Sequence, residues 1–143
     1  MKSVLVLCEG NICRSPMAQV LLADDLPGVD VRSAGLGALV GRPADESAQR
    51  LVRELGLDLA DHRATQVTGE MCARADLVLV MEASQRQRLE SYYPQVSGKV
   101  FRLGHFADQE IPDPYRQGDA MFRLSLQLIR QGVDDWRTRI HKL

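Results

Sequence analysis

The chain has 143 residues, of which 45% are hydrophobic and 26% charged, and its 18 Lys and Arg residues nearly balance 19 Asp and Glu residues. This length is enough for one domain with its own core, and the net charge of -1 disfavours a nucleic-acid binder that depends on a broad cationic surface. The apolar run at residues 4–8 is too short to cross a bilayer or to form the core of a signal peptide, so we expect a cytoplasmic protein without membrane insertion.

Strands and helices alternate along the predicted chain. In chain order we expect a strand at 4–7, a helix from 16 to about 24, a strand at 29–33, helices at 44–55 and 68–73, a strand at 77–81, a helix at 84–92, a strand at 99–103 and a long helix at 122–140. Ser15 is the predicted N-cap of the first helix, with Pro16 at its first position, and Gly56 ends the second helix. The last helix has the clearest pattern, because its apolar residues form one continuous stripe.

This alternation predicts an α/β fold in which helices cover both faces of a four-stranded parallel sheet. The strands at 4–7 and 77–81 are continuously apolar, as central strands are, whereas those at 29–33 and 99–103 mix polar and apolar residues, as edge strands do. The predicted strand order is therefore 2-1-3-4, in a single three-layer domain. In such sheets ligands bind at the carboxyl ends of the strands where the order reverses, and here that point lies beside Cys8.

The loop after the first predicted strand, CEGNICRS, combines the residues of an anion site. Backbone N–H groups of a tight loop at a helix N-terminus bind anions, and Gly10 and Asn11 tolerate the left-handed backbone angles that such a loop needs. Arg14 can bind two phosphate oxygens at once, and its positive field favours the thiolate form of Cys8, which is the nucleophilic form. We expect Ser15 both to cap the helix and to donate a hydrogen bond to that thiolate.

The sequence VLCEGNICRSP resembles the signature of the low-molecular-weight protein tyrosine phosphatases. In that family a Cys-x5-Arg-Ser loop lies near the N-terminus and an Asp-Pro general acid lies far downstream, where this chain has IPDPY at 111–115. The resemblance therefore spans nearly the whole chain and implies the flavodoxin-like fold of that family, as one phosphatase domain over residues 1–143. SAGLGA at 33–38 and IPDPYR further resemble the bacterial branch associated with tyrosine kinases of capsule and exopolysaccharide synthesis.

For catalysis, the resemblance implies in-line attack of Cys8 on phosphorus to give a cysteinyl-phosphate. Arg14 and the loop amides would hold the equatorial oxygens. Asp113 would protonate the leaving phenolate and then activate water, and we expect partial burial between Pro112 and Pro114 to favour its protonated form. No metal or other cofactor is expected, because Arg14 and the amides take the place of a cation.

Other residues are expected to bind the substrate or to shape the cleft around it. They are Glu9, Gly10, Asn11, Ile12, Cys13, Ser15, Leu36 and Tyr115. By resemblance, Asn11 holds the loop, Tyr115 forms an aromatic wall, Leu36 lines the cleft mouth and His62 organises neighbouring loops. Glu9 departs from the small or apolar residue that relatives have at this position, and we expect it to repel strongly acidic peptides.

The three cysteines are an odd number without a Cys-x-x-Cys pair, which disfavours a disulfide framework and a zinc site. Relatives use the pair that corresponds to Cys8 and Cys13 as a reversible disulfide, which protects the nucleophile from over-oxidation. For Cys13 a redox role and a simple buried thiol are both open. Cys72 is interpreted as a core residue.

Other functions fit parts of this pattern. An arsenate reductase on the same scaffold needs two further cysteines after the third strand, and residues 76–100 contain none. A phosphoarginine phosphatase is an alternative, although that group tends to have Thr where this chain has Ile12, and an apolar residue suits an aryl leaving group better. A non-hydrolytic phosphocarrier domain shares the architecture and a phosphorylated Cys but lacks counterparts of Arg14 and Asp113, and a phosphate-binding adaptor without catalysis is also open.

The expected substrate is a phosphotyrosine protein, and the expected product is inorganic phosphate. The resemblance implies that this substrate is an autophosphorylated bacterial tyrosine kinase of polysaccharide assembly. Nucleic acid is not expected as a partner. Because a single cleft in a chain of this size needs no second subunit, we expect a monomer.

Overall fold

The computed structural model describes residues 1–141, which form a four-stranded parallel sheet between two layers of helices. The strands are β1 (Ser3–Cys8), β2 (Asp30–Gly35), β3 (Leu77–Val80) and β4 (Val100–Arg102), and the helices are α1 (Arg14–Asp25), α2 (Glu46–Glu54), α3 (Gly69–Arg74), α4 (Ala83–Tyr92) and α5 (Asp119–His141). The strand order is β2-β1-β3-β4, which confirms the predicted order and the α/β fold class. Within residues 1–141, no helix is both long and apolar enough to span a membrane.

The hydrophobicity of the strands explains their order. β1 pairs in parallel with β2 on one side, where Cys8 lies opposite Gly35, and with β3 on the other. β3 is buried throughout and β1 is buried from Val4 onward, so both strands need cover on both faces. β2 exposes the polar side chains of Asp30 and Arg32, which suits a strand at the edge of the sheet.

Apolar side chains form a core on each face of the sheet. On one face α1, α2 and α5 pack together against β1 and β3. This core contains the whole predicted stripe of α5, namely Phe122, Leu126, Ile129, Val133, Trp136 and Ile140. Each such side chain contributes about 1.5–3 kcal/mol when it is fully buried. On the other face α3 and α4 supply Cys72 and Leu89 to a second core, which confirms the interpretation of Cys72 as a core residue.

The ends of α2 show how local sequence limits a helix. Asp45 is its N-cap, and the carboxylate of Asp45 accepts a hydrogen bond from the N–H of Ser47 at 2.9 Å. Gly56, just beyond the helix, has a φ of 80°, a left-handed angle that glycine adopts at little cost. The predicted stop at Gly56 is therefore confirmed. The predicted start is too early, because Ala44 is buried but lies before the cap.

Candidate active site

The loop between β1 and α1 lies at the carboxyl edge of the sheet, where the strand order reverses. Cys8 is the last residue of β1 and Arg14 is the first residue of α1, so residues 9–13 turn the chain from the sheet directly into a helix. The N–H of Gly37, in the segment that follows β2, donates a hydrogen bond to the carbonyl of Glu9 at 2.9 Å. Cys8 thus lies where folds of this class bind ligands.

Asn11 holds this loop from beneath. Its backbone has a left-handed φ of 59°, and its side chain is completely buried. Nδ2 donates hydrogen bonds to Oγ of Ser15 at 2.7 Å and of Ser33 at 3.1 Å, while Oδ1 accepts one from the N–H of Thr65 at 2.9 Å. These contacts are those of a residue that fixes the loop. Of the two residues that tolerate a left-handed angle here, Gly10 does not have a positive φ, and Asn11 makes the turn alone.

Ser15 faces Cys8 and does not cap α1. The helix begins one residue before Ser15, with Cys13 as an N-cap that makes no side-chain hydrogen bond. Oγ of Ser15 lies 2.9 Å from Sγ of Cys8 and accepts a hydrogen bond from Asn11, which leaves the hydroxyl hydrogen available to the sulfur. The predicted N-cap is therefore wrong. Pro16 is tolerated inside the first turn because the N–H groups there have no intrahelical partner.

Arg14 is a buried cation at the start of α1, with a side chain that is only 2% exposed. Nη1 donates a hydrogen bond to the carbonyl of Ile111 at 2.8 Å and lies 3.2 Å from Oε2 of Glu82, and Nη2 lies 3.7 Å from Oδ2 of Asp113. Among residues 1–141, Nε of Arg14 has no hydrogen-bond partner. A buried guanidinium donor without a partner costs free energy, which an anionic ligand can offset by accepting from it.

Glu82 is absent from the predicted site, although a signal for it exists in the sequence. It lies two residues after the end of β3, whose carboxyl end lies at the same edge of the sheet as Cys8. Its carboxylate balances the charge of Arg14 and, with the carbonyl of Ile111, fixes the plane of the guanidinium. Glu82 therefore orients the cation of the site.

Asp113 reaches the site from the segment between β4 and α5. The hydroxyl of Ser125 donates a hydrogen bond to the carbonyl of Pro112 at 2.8 Å, and the N–H of Tyr115 donates one to Oδ1 of Asp113 at 3.1 Å. These contacts hold the carboxylate next to Arg14. The side chain of Asp113 is 47% exposed, so it is only partly buried between the prolines and lines the open side of the cleft.

A cleft with a volume of about 210 Å³ opens beside these residues. It is lined by Cys8, Glu9, Gly10, Ile12, Cys13, Arg14, Gly37, Leu39, Asp113 and Tyr115. Leu36, which was expected at the mouth, continues the side-chain alternation of β2 and is buried with Ala34 in the core under α3 and α4. Leu39 takes the place predicted for Leu36. Asn11 and Ser15 are fully buried and support the loop from below.

The carboxylate of Glu9 is paired with Arg88, which lies on α4. Nη1 of Arg88 donates a hydrogen bond to Oε1 at 2.5 Å and Nη2 donates one to Oε2 at 3.3 Å. The hydrogen bonds that Arg88 donates to the Glu9 carboxylate raise the pKa of Arg88. Because the pair has no net charge, this arrangement does not support the expectation that Glu9 repels acidic peptides.

Cys13 and His62 are buried titratable groups next to the loop. Burial, together with the negative charge of Asp45, raises the pKa of the Cys13 thiol, so Cys13 stays protonated at neutral pH. Burial lowers the pKa of His62, so its imidazole is neutral. Its Nε2 lies 2.7 Å from the carbonyl oxygen of Asn11 and donates a hydrogen bond to it. This bond connects the loop that contains His62 to the loop between β1 and α1. Cys8 and Cys13 are both free thiols here, and a redox role of Cys13 stays a prediction.

A model of the low molecular weight phosphotyrosine protein phosphatase family matches residues 3–143. The chain belongs to this family. A relative from Ralstonia nicotianae, named "Probable low molecular weight protein-tyrosine-phosphatase EpsP", is 51% identical over 142 residues, which cover 99% of this chain and 98% of that protein. The low molecular weight protein-tyrosine-phosphatase Wzb of Escherichia coli strain K12 is 42% identical over 135 residues, which cover 94% of this chain and 92% of Wzb.

Solved structures of family members have the same fold. The tyrosine phosphatase Wzb from Escherichia coli K30, in complex with sulphate, has a TM-score of 0.94 at 43% identity and covers 97% of this chain and 98% of its own. The arginine phosphatase YwlE from Geobacillus stearothermophilus has a TM-score of 0.93 at 31% identity, over 99% of this chain and 94% of its own. The predicted low-molecular-weight phosphatase fold and the predicted enzyme class are therefore confirmed.

Proposed function

We propose that this protein hydrolyses phosphotyrosine through a cysteinyl-phosphate on Cys8 and that residues 1–143 act as one phosphatase domain. The observation that carries the proposal is the meeting of Cys8, Arg14 and Asp113 in a single cleft, although Asp113 lies far downstream in the chain. The family match over residues 3–143 supports it.

The first chemical step forms a P–S bond and breaks the P–O bond to the tyrosyl oxygen. The Cys8 thiolate, hydrogen-bonded to Ser15, attacks phosphorus in line with the leaving oxygen. Arg14 and the backbone N–H groups of the loop hold the three non-bridging oxygens as their charge changes. Asp113 gives its proton to the departing phenolate oxygen, so tyrosine leaves as the neutral phenol.

The second step returns the enzyme to its starting state. The Asp113 carboxylate takes a proton from water as the water oxygen attacks phosphorus and the P–S bond breaks. The products are inorganic phosphate and the Cys8 thiolate. The half-exposed position of Asp113 beside the cleft gives it access to water, and Glu82 keeps Arg14 in the same orientation through both steps.

The apolar parts of the cleft favour an aryl substrate. Ile12, Leu39 and Tyr115 lie on its walls and offer contacts to a phenyl ring. The likeness to the arginine phosphatase YwlE favours phosphoarginine as a second candidate. The relatives of higher identity are named tyrosine phosphatases, and we infer phosphotyrosine on that ground. A phosphocarrier has no need of a proton donor at the position of Asp113.

For the physiological substrate, we propose an autophosphorylated bacterial tyrosine kinase of polysaccharide synthesis. The resemblance of SAGLGA at 33–38 and IPDPYR at 111–116 to the bacterial branch of the family supports this partner. A monomeric state and a cytoplasmic location stay predictions.

The test is hydrolysis of phosphotyrosine, phosphoarginine and an aryl phosphate in excess chelator, by the wild type and by Cys8→Ser. Cys72→Ala is the matched control, because Cys72 is a buried thiol of the second core. We expect the wild type and Cys72→Ala to hydrolyse phosphotyrosine and Cys8→Ser to be inactive. Full activity of Cys8→Ser overturns the mechanism, a preference for phosphoarginine reverses the choice of substrate, and loss of activity only with chelator indicates a metal.

A further inference from the structure

A carboxylate lies on the wall of a cleft that is built to bind an anion. Glu9 lines the same cleft as Cys8 and Arg14, and a phosphoryl dianion that enters there meets its negative charge. An uncompensated carboxylate at this position raises the free energy of the bound dianion by Coulomb repulsion. The cleft therefore needs a compensating charge close to Glu9.

The Glu9 carboxylate is held in place on two sides. A Cβ atom on Gly37 would lie 2.7 Å from Oε2 of Glu9, so the segment after β2 approaches the carboxylate closely. On the other side Arg88 donates hydrogen bonds to both carboxylate oxygens, at 2.5 and 3.3 Å. Since the side chains of Glu9 and Arg88 are 43% and 42% exposed, this pair is partly screened by water but stays at the cleft wall.

On the basis of the proposed function, we propose that Arg88 is a positioning residue that sets the affinity of the cleft for the phosphoryl group by cancelling the charge of Glu9. Arg88 is not among the described residues that line the cleft, so it acts on the phosphoryl group through Glu9. The pair is a feature of this chain's own loop and α4, separate from the Arg14 guanidinium that holds the phosphate oxygens.

The proposal predicts opposite effects for the two partners. Arg88→Gln leaves the Glu9 charge uncompensated and raises KM for an aryl phosphate, and Glu9→Gln leaves the Arg88 charge and lowers KM, each by roughly threefold for a screened charge near the site. The double variant returns towards the wild-type value. We expect kcat to move less than KM, and both shifts to shrink at high ionic strength.

Arg86→Gln is the matched control. Arg86 lies on the same helix, pairs with Glu90 at 3.0 Å and has a similar side-chain exposure of 40%. Its guanidinium, however, lies over the ring of Phe101, 5.6 Å from the ring centroid, and neither Arg86 nor its partner Glu90 lines the cleft. Its substitution changes the net charge as Arg88→Gln does. An effect of net charge alone therefore shifts both variants equally, whereas the proposal predicts a shift only for Arg88→Gln.

The experiment measures the binding of inorganic phosphate by calorimetry and KM for an aryl phosphate, for all five proteins at low and high ionic strength. Dissociation constants in the order Glu9→Gln below wild type below Arg88→Gln, with the double variant and Arg86→Gln near wild type, support the proposal. The proposal is overturned if Glu9→Gln and Arg88→Gln both bind phosphate more weakly than the wild type. It is also overturned if Arg88→Gln and Arg86→Gln shift the dissociation constant equally. Phosphate binding needs no turnover. If the wild type is inactive but the dissociation constants follow this order, the proposed function is refuted and the proposal for Arg88 still holds.

Discussion

The hydroxyl of Ser15 lies 2.9 Å from the sulfur of Cys8, at the other end of the loop that joins β1 to α1. Behind Ser15 a chain of hydrogen bonds continues from the core to the half-buried Gln19, since Asn11 donates to Ser15 and to Ser33, and Ser33 donates to Gln19 at 2.6 Å. Buried polar groups that all have partners make a network rigid. The loop is thereby held in one shape without a ligand, and in the proposed function this is the preorganisation that stabilises a transition state.

Ser15→Ala removes the hydrogen bond to the Cys8 sulfur and leaves Asn11 its bond to Ser33. A hydrogen bond to a charged group contributes about 1.5–3 kcal/mol, so we expect kcat for an aryl phosphate to fall roughly 10- to 100-fold. Steady-state kinetics measure the effect, and the thermal midpoint shows whether the fold is intact. Ser97→Ala, at an exposed serine, is the control and keeps the wild-type kcat. An unchanged kcat in folded Ser15→Ala refutes the role given to the hydroxyl.

Asp113→Asn keeps the shape of the side chain and removes its proton. General acid catalysis contributes about 10²- to 10⁴-fold, so we expect a fall in kcat of that size with phenyl phosphate, whose leaving group needs a proton. With para-nitrophenyl phosphate, whose leaving group is stable as an anion, the fall should be much smaller. The measurement is the ratio of kcat for phenyl phosphate to kcat for para-nitrophenyl phosphate, taken for the wild type and for the variant. Equal losses on both substrates contradict a role of Asp113 as acid.

The strand order and the position of Cys8 follow from the sequence, because continuous apolar runs and mixed runs distinguish central strands from edge strands. The residue types of the loop likewise predict an anion site. The error at Ser15 has a physical cause: N-cap preference describes an isolated helix end, whereas this hydroxyl is used by Cys8 and Asn11. Hydrogen bonds within a site override local preference in such places.

Contacts between distant segments are harder to predict. Leu36 and Leu39 are both apolar and only the path of the chain after β2 decides which one reaches the cleft. The partners Glu82 and Arg88 belong to the start and the middle of α4, and their contacts depend on how that helix lies against the loop. Periodicity identifies the buried face of a helix and does not identify the partner of a polar side chain.

His62 makes the stability of the fold depend on pH. Burial, with a contribution from the charge of Arg63, lowers its pKa below the ordinary value of about 6.5. The unfolded chain therefore takes up a proton first, so the stability from neutral His62 is fully present above about pH 6.5 and is lost as the pH falls through the folded-state pKa. We expect the free energy of unfolding, from urea titrations at about pH 7.5 and about pH 5, to fall more in the wild type than in His62→Gln. A His141→Gln control, at an exposed histidine, should match the wild type, and an equal fall in His62→Gln contradicts the assignment.

Leu36→Ala and Leu39→Ala separate a core residue from a cleft residue only three positions away. Leu36 is 7% exposed, so its truncation leaves a cavity in the core and should lower the free energy of unfolding by about 2–5 kcal/mol with little change in KM. Leu39 is half-buried and lines the cleft, so Leu39→Ala should raise KM for an aryl phosphate several-fold and lower the free energy of unfolding by less than about 1.5 kcal/mol. Urea denaturation and steady-state kinetics on both variants give the comparison. A raised KM with unchanged stability in Leu36→Ala would restore Leu36 to the cleft mouth, and an unchanged KM in Leu39→Ala would remove Leu39 from it.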